Sequence, residues 1–151
     1  MSPHLTPPMA MIVFASLTGS ALAQQGAATK GEGGRPITVA MTGAAERPGP
    51  GDGDGSGTAE FRINSGQNRV CYKLTVANID AATAAHIHRA PPTEAGPPVV
   101  TLTAPAQGSS NGCADVTREL AQELIRNPGA FYVNVHNKTF PNGAVRGQLG
   151  R

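Results

Sequence analysis

The sequence predicts an all-β protein, an antiparallel Greek-key β-sandwich of about seven strands with one short helix. Three observations carry that prediction. Stretches with apolar residues at every second position recur along the chain, Gly, Pro, Asn and Asp separate them, and one stretch alone shifts to a helical period. The 19 glycines and 13 prolines fit many turns between short strands.

The elements follow in chain order. Residues 9–17 (MAMIVFASL) form an apolar run followed by Ala21-Leu22-Ala23. That is the h-region and A-x-A site of an export signal, too short to anchor in a bilayer. Residues 1–23 are therefore expected to be a signal peptide. Residues 24–36 are rich in Gly, Ala and Gln without periodicity and read as a flexible leader. A single domain is expected over 37–150. Strands are predicted at 37–43, 57–63, 69–79, 83–88, 98–103, 131–137 and 144–149. The stretch 69–79 is the clearest, because Val70, Tyr72, Leu74 and Val76 alternate with Cys71, Lys73, Thr75 and Ala77. The helix is placed after Thr117, a suitable N-cap, with Glu119 in its first turn and an apolar stripe of Val116, Leu120, Leu124 and Ile125. Asn127-Pro128-Gly129 ends it.

Composition narrows the partners. The net charge is +2 and aromatic residues make up 4% of the chain, so no nucleic acid or membrane surface is expected to bind. No other apolar run is long enough to cross a membrane. Two cysteines, Cys71 and Cys113, fit one disulfide in an exported protein. Cys71 points away from the apolar face, so the bridge is expected to tie its strand to an overlying loop. The localisation this implies is secreted or periplasmic.

The chemistry concentrates in two segments, Ala85-His86-Ile87-His88 and Val133-Asn134-Val135-His136. Alternation turns all three histidines away from the apolar side, together with Asn134 and, from the last strand, Arg146 and Gln148. If these strands are neighbours, the outer surface carries three imidazoles, an amide and a guanidinium. His86, His88 and His136 then form a candidate metal site with one open position, suited to zinc or copper, with nitrogen ligands favouring copper. The alternative is a polar surface cluster hydrogen-bonded to Asn134, Arg146 or backbone carbonyls. Arg146 in turn reads as a holder of an anion beside the site, as a solvated strand residue, or as the partner of a carboxylate such as Glu94. Asp52-Gly53-Asp54-Gly55-Ser56-Gly57 opens like a calcium loop, but Ile63 stands where a bidentate Glu belongs, so a turn is expected. Asn137-Lys138-Thr139 is a glycosylation sequon. There is no nucleophile elbow, no phosphate-cradling loop and no acid/base pair, and no catalytic residue is assigned.

These segments together resemble the CHRD domain, named from chordin and found in many short bacterial secreted proteins. The matching stretches are Cys71-Tyr72 with Leu74-Thr75-Val76, Ala85-His86-Ile87-His88, Gly96-Pro97-Pro98-Val99-Val100 and Tyr132-Val133-Asn134-Val135-His136. Pro141-Asn142-Gly143-Ala144-Val145-Arg146-Gly147-Gln148-Leu149 completes the pattern. The resemblance implies a β-sandwich with an extracellular binding or structural role toward an unknown protein or ligand. A more distant likeness is to copper/zinc superoxide dismutases, which take two copper ligands from an H-x-H strand and another from a late strand, with an arginine following. His86, His88, His136 and Arg146 fall in that order, whereas no bridging histidine and no zinc cluster are present. This likeness implies a copper site. It leaves two alternatives to a binding module: a copper-only superoxide dismutase-like enzyme, and a metal-free extracellular protein-interaction domain.

Overall fold

A computed structural model describes residues 33–150. The expected signal peptide and most of the expected leader lie outside the described residues. Eight strands form one antiparallel sheet: β1 (Arg35–Thr42), β2 (Ser56–Asn64), β3 (Arg69–Ala77), β4 (Ala82–Arg89), β5 (Pro98–Leu102), β6 (Ser109–Asp115), β7 (Phe131–Asn137) and β8 (Val145–Gln148). The order across the sheet is β5-β4-β7-β8-β1-β2-β3-β6. The first two residues of β1, Arg35 and Pro36, were expected in the leader and instead pair with Ile63 and Arg62.

All-β architecture is what alternation predicts. The two packed sheets of the expectation appear as two four-stranded halves of one curled, nearly closed sheet. The halves join through β8 and β1, whose only paired residues are Arg146 and Thr42. Gly147 makes that approach possible, since any side chain there would collide with the Ala40 carbonyl. On the opposite seam, β5 and β6 are stitched by side chains. The Tyr72 hydroxyl accepts from the Thr103 N–H (2.8 Å) and donates to Thr103 Oγ1 (3.0 Å), and Ser110 Oγ donates to the Thr103 carbonyl (2.7 Å). Around that seam the neighbours run β3-β6-β5-β4, a Greek-key arrangement.

The inside of the curl is one apolar core, to which β2 contributes Ala59, Phe61 and Ile63, β3 contributes Val70, Tyr72 and Leu74, and β4 and β7 contribute Ala85, Ile87, Phe131, Val133 and Val135. Each large side chain among them contributes about 1.5–3 kcal/mol by leaving water. The helix α1 (Arg118–Arg126) closes the core with Ala121 and Leu124, and Thr117 caps it by accepting from the Leu120 N–H at 3.1 Å.

The eighth strand, β6, has no counterpart in the sequence prediction. Its residues SSNGCAD alternate only between exposed and half-buried, so it lacks the apolar signature of a core strand. Its presence corrects the expected disulfide geometry. Cys113 does not sit on an overlying loop but directly across from Cys71 on the neighbouring strand, with 3.9 Å between Cα atoms. The pairing itself is as expected.

Candidate functional site

The site rests on the half-sheet β4-β7-β8. Register places His86 opposite Asn134 and Asn134 opposite Arg146, while His88 faces Tyr132 and Tyr132 faces Gln148. His136 pairs with Ala84, one diagonal step from His86. The three imidazoles therefore converge, as the alternation predicted. Ring centroids lie 5.4 Å apart for His86 and His88, 5.1 Å for His86 and His136, and 6.0 Å for His88 and His136.

Hydrogen bonds decide which nitrogens are free. His88 Nδ1 lies 2.8 Å from the Gly96 carbonyl and His136 Nδ1 lies 3.0 Å from the Pro141 carbonyl. A carbonyl only accepts, so both rings carry their proton on Nδ1 and keep an Nε2 lone pair. His136 Nε2 faces His86 Nδ1 at 3.2 Å. His88 Nε2 is buried without any hydrogen-bond partner. One nitrogen from each ring lies within 4.8 Å of the other two, and among the described residues this is the sole cluster of three potential metal ligands from His, Cys, Asp and Glu. Burial lowers the pKa of all three rings, and for His86 the neighbouring imidazoles lower it further. The carbonyls of Gly96 and Pro141 oppose the shift in His88 and His136 without reversing it. Neutral imidazole is the form that binds a metal.

The surroundings differ from the expected solvent-washed surface. His88 is 8% exposed, and Asn134 and Arg146 are 1% exposed. The loop 90–97 folds over this face, and side chains of the sheet hold its carbonyls. Arg146 donates to the carbonyls of Glu94 (2.8 Å) and Pro91 (2.9 Å), Gln148 Nε2 donates to that of Ala90 (2.8 Å), and His88 takes that of Gly96. Tyr132, 2% exposed, receives the Gly96 N–H on its hydroxyl at 3.3 Å. The Tyr132 ring stacks on His88, 4.8 Å away and 8° from parallel, and the Arg146 guanidinium lies 3.4 Å from the centroid of the Tyr132 ring. Arg146 is thus neither a solvated residue nor paired with the Glu94 carboxylate.

Glu46 completes this buried layer at 2% exposure. Burial pushes its carboxyl up to about 7, although Arg146 and the Asn134 amide pull the other way. The Asn134 amide adjoins both Glu46 and His88. Gly143, at φ +137°, leaves room for the Glu46 carboxyl, with which a side chain there would collide. Sequence reasoning did not find Glu46, because it sits between a short 3-10 turn, Gly43–Ala45, and a Pro/Gly loop without periodicity. Alternation puts Gln148 on the outward face, and Tyr132 there with Asn134 and His136, but nothing in a Pro-rich stretch announces that residues 90–97 will cover them. The sequon reading fails on burial: Asn137 is 1% exposed, accepting from the Phe140 N–H at 2.7 Å. The Asp52 loop is a turn, anchored where the Asp52 N–H donates to the Ala144 carbonyl at 2.8 Å.

Fold and site together define a small disulfide-bonded β-barrel with a half-covered imidazole cluster on one outer wall. The CHRD domain family model matches residues 37–149, and the chain belongs to that family. No curated protein and no solved structure matches it. Among the described residues, no helix is long and apolar enough to cross a membrane.

Proposed function

We propose that this chain is an exported CHRD-type binding module that holds a transition metal, copper or zinc, through His86, His88 and His136. The observation that carries the reading is the partnerless Nε2 of buried His88 within a cluster in which one nitrogen of each ring lies within 4.8 Å of the other two, the Nε2 lone pair of His136 meeting nothing but His86 Nδ1. A buried ring nitrogen without a partner costs stability, roughly 1–3 kcal/mol, and a metal ion would remove that cost. The 3.2 Å between His86 Nδ1 and His136 Nε2 is close to the ~3.3 Å separating two ligands of a tetrahedral ion at metal–nitrogen distances of about 2.0–2.1 Å. Asn134, adjoining His88, and the carbonyls of Gly96 and Pro141 would orient the rings, as outer partners of metal-bound histidines do. Export fits the disulfide and the apolar N-terminal run.

The copper-only dismutase alternative gains little from the geometry, because two backbone carbonyls and the Tyr132 face occupy the guanidinium that would guide superoxide. The test is metal content of the purified mature protein, with melting curves in the presence of Cu(I), Cu(II) and Zn(II). A ligand that binds only the folded state raises its stability, by about 2.7 kcal/mol at a hundredfold excess over Kd. Wild type should retain near-stoichiometric metal and melt higher with it, and His136→Ala should do neither. Equal, negligible metal in both proteins would leave the metal-free interaction domain as the reading.

A further inference from the structure

We infer that the site is built for monovalent copper, Cu(I), in preference to Zn(II) and Cu(II). This rests on the tris-imidazole reading above and adds to it an oxidation state and a metal preference. The donor set is three neutral nitrogens, and no carboxylate or thiolate belongs to the cluster. Nothing in it offsets the charge of a divalent ion. Zinc in protein sites is almost always four-coordinate and, with three protein ligands, takes its fourth from water or substrate. Cu(I), a d10 ion of lower charge, is satisfied by three nitrogens alone.

The second observation is a fixed positive charge behind the ligands. Arg146 is buried, stacked at 3.4 Å on Tyr132, which is stacked in turn on His88. Its donors to the Pro91 and Glu94 carbonyls lock it there. The guanidinium therefore stands two ring layers from any ion on His88, on the order of 10 Å. Across that distance, at an effective dielectric of about 20, each extra unit of charge on the ion weakens binding on the order of tenfold. Glu46 lies beside Arg146 and the Asn134 amide, and burial pushes its carboxyl up to about 7. Below that pH it is mostly the neutral acid and leaves the guanidinium charge largely unbalanced, while at higher pH it offsets part of it.

Anaerobic competition decides the matter. Wild-type protein with its disulfide intact is titrated with Cu(I) against a chromophoric Cu(I) chelator, and separately with Zn(II) and Cu(II). The same titrations are run on Arg146→Gln, which keeps an amide donor for the loop carbonyls, and on His86→Ala. Wild type is expected to hold Cu(I) against equimolar Zn(II). Arg146→Gln should lower the Cu(I)-to-Zn(II) affinity ratio on the order of tenfold, and His86→Ala should weaken both metals together. Wild type that binds no metal at all overturns the site itself. Wild type that binds Zn(II) or Cu(II) more tightly than Cu(I) overturns this inference and leaves the site standing. A folded Arg146→Gln with an unchanged ratio overturns the role given to Arg146. Should circular dichroism show that variant unfolded, the wild-type competition alone decides.

Discussion

The two halves of the sheet start from the same sequence pattern and end in different environments. In β1-β2-β3-β6 the outward residues Thr38, Glu60, Lys73 and Thr75 are exposed, as simple alternation demands. In β4-β7-β8 the outward residues His88, Tyr132, Asn134 and Arg146 are buried beneath the loop 90–97 and Glu46. A period of two states which side of a strand a residue occupies, but not whether that side meets water. Whether a second layer forms depends on what crosses above it. Here a polar layer forms because backbone carbonyls of the loop meet donors that the sheet presents at matching positions.

The largest expected effect contrasts one outward cation from each half. Arg146→Ala should cost up to about 5 kcal/mol, because it strands the Pro91 and Glu94 carbonyls and removes the charge facing Glu46. Lys73→Ala, on the exposed half, should stay within about 0.5 kcal/mol. Urea unfolding of the two variants checks both figures. Equal losses would mean that the covered layer adds no stability of its own.

The next effect belongs to the exposed half, which has a covalent staple where the other has a hydrogen-bonded cover. Cys71 and Cys113 lie on the outward side of the β3–β6 pair and close a loop of 42 residues. Replacing both by Ser should cost about 4 kcal/mol on the chain-entropy estimate. A thermal melt of the double variant against the oxidised parent measures it. A loss under about 1 kcal/mol would show that the seam bonds from Tyr72 and Ser110 already hold β6 in place.

The inner face was legible in the sequence and the outer one only in part. Apolar alternation at Val70–Leu74 and Phe131–Val135 specifies strands and core, and the H-x-H spacing with His136 in a second strand predicts the imidazole cluster once those strands pair. What alternation cannot encode is a contact between a side chain and the backbone of a distant loop. Any sequence offers such carbonyls, so the loop 90–97 held by Arg146, Gln148 and His88 had no signature. Glu46 was illegible for a related reason. Its burial follows from the cavity left by Gly143 and the position of Arg146, which meet only in the folded chain. The edge strand β6 escaped because its inward residues Ser110, Gly112 and Ala114 are small and only half-buried, so its core-facing side carries no apolar alternation.

Glu46 supplies the smallest of these effects and the sharpest test of how well the covered layer is satisfied. Burial raises its carboxyl to about 7 against an ordinary 4.5, despite the opposing pull of Arg146. Between those two values the native protein holds a proton that the unfolded chain has released. Stability from this group therefore falls as pH rises through the window, and the penalty is complete above pH 7 and absent below pH 4.5. Gln imitates the protonated acid, so Glu46→Gln should be more stable than wild type at pH 8, by ~3 kcal/mol at most, with the gap closing toward pH 4.5. The three imidazoles act with the opposite sign. Their lowered values mean that the unfolded chain takes up protons first as pH drops below 6.5, which destabilises the native state. Both proteins carry those histidines, so subtracting the two pH–stability curves isolates the carboxyl. A difference that stays flat from pH 4.5 to 8 would mean that the carboxyl titrates alike in the folded and unfolded chain, so that Glu46 is ionised at neutral pH and Arg146 offsets its burial fully. The guanidinium charge would then be neutralised within the layer, and its claimed effect on a metal ion at His88 would disappear with it.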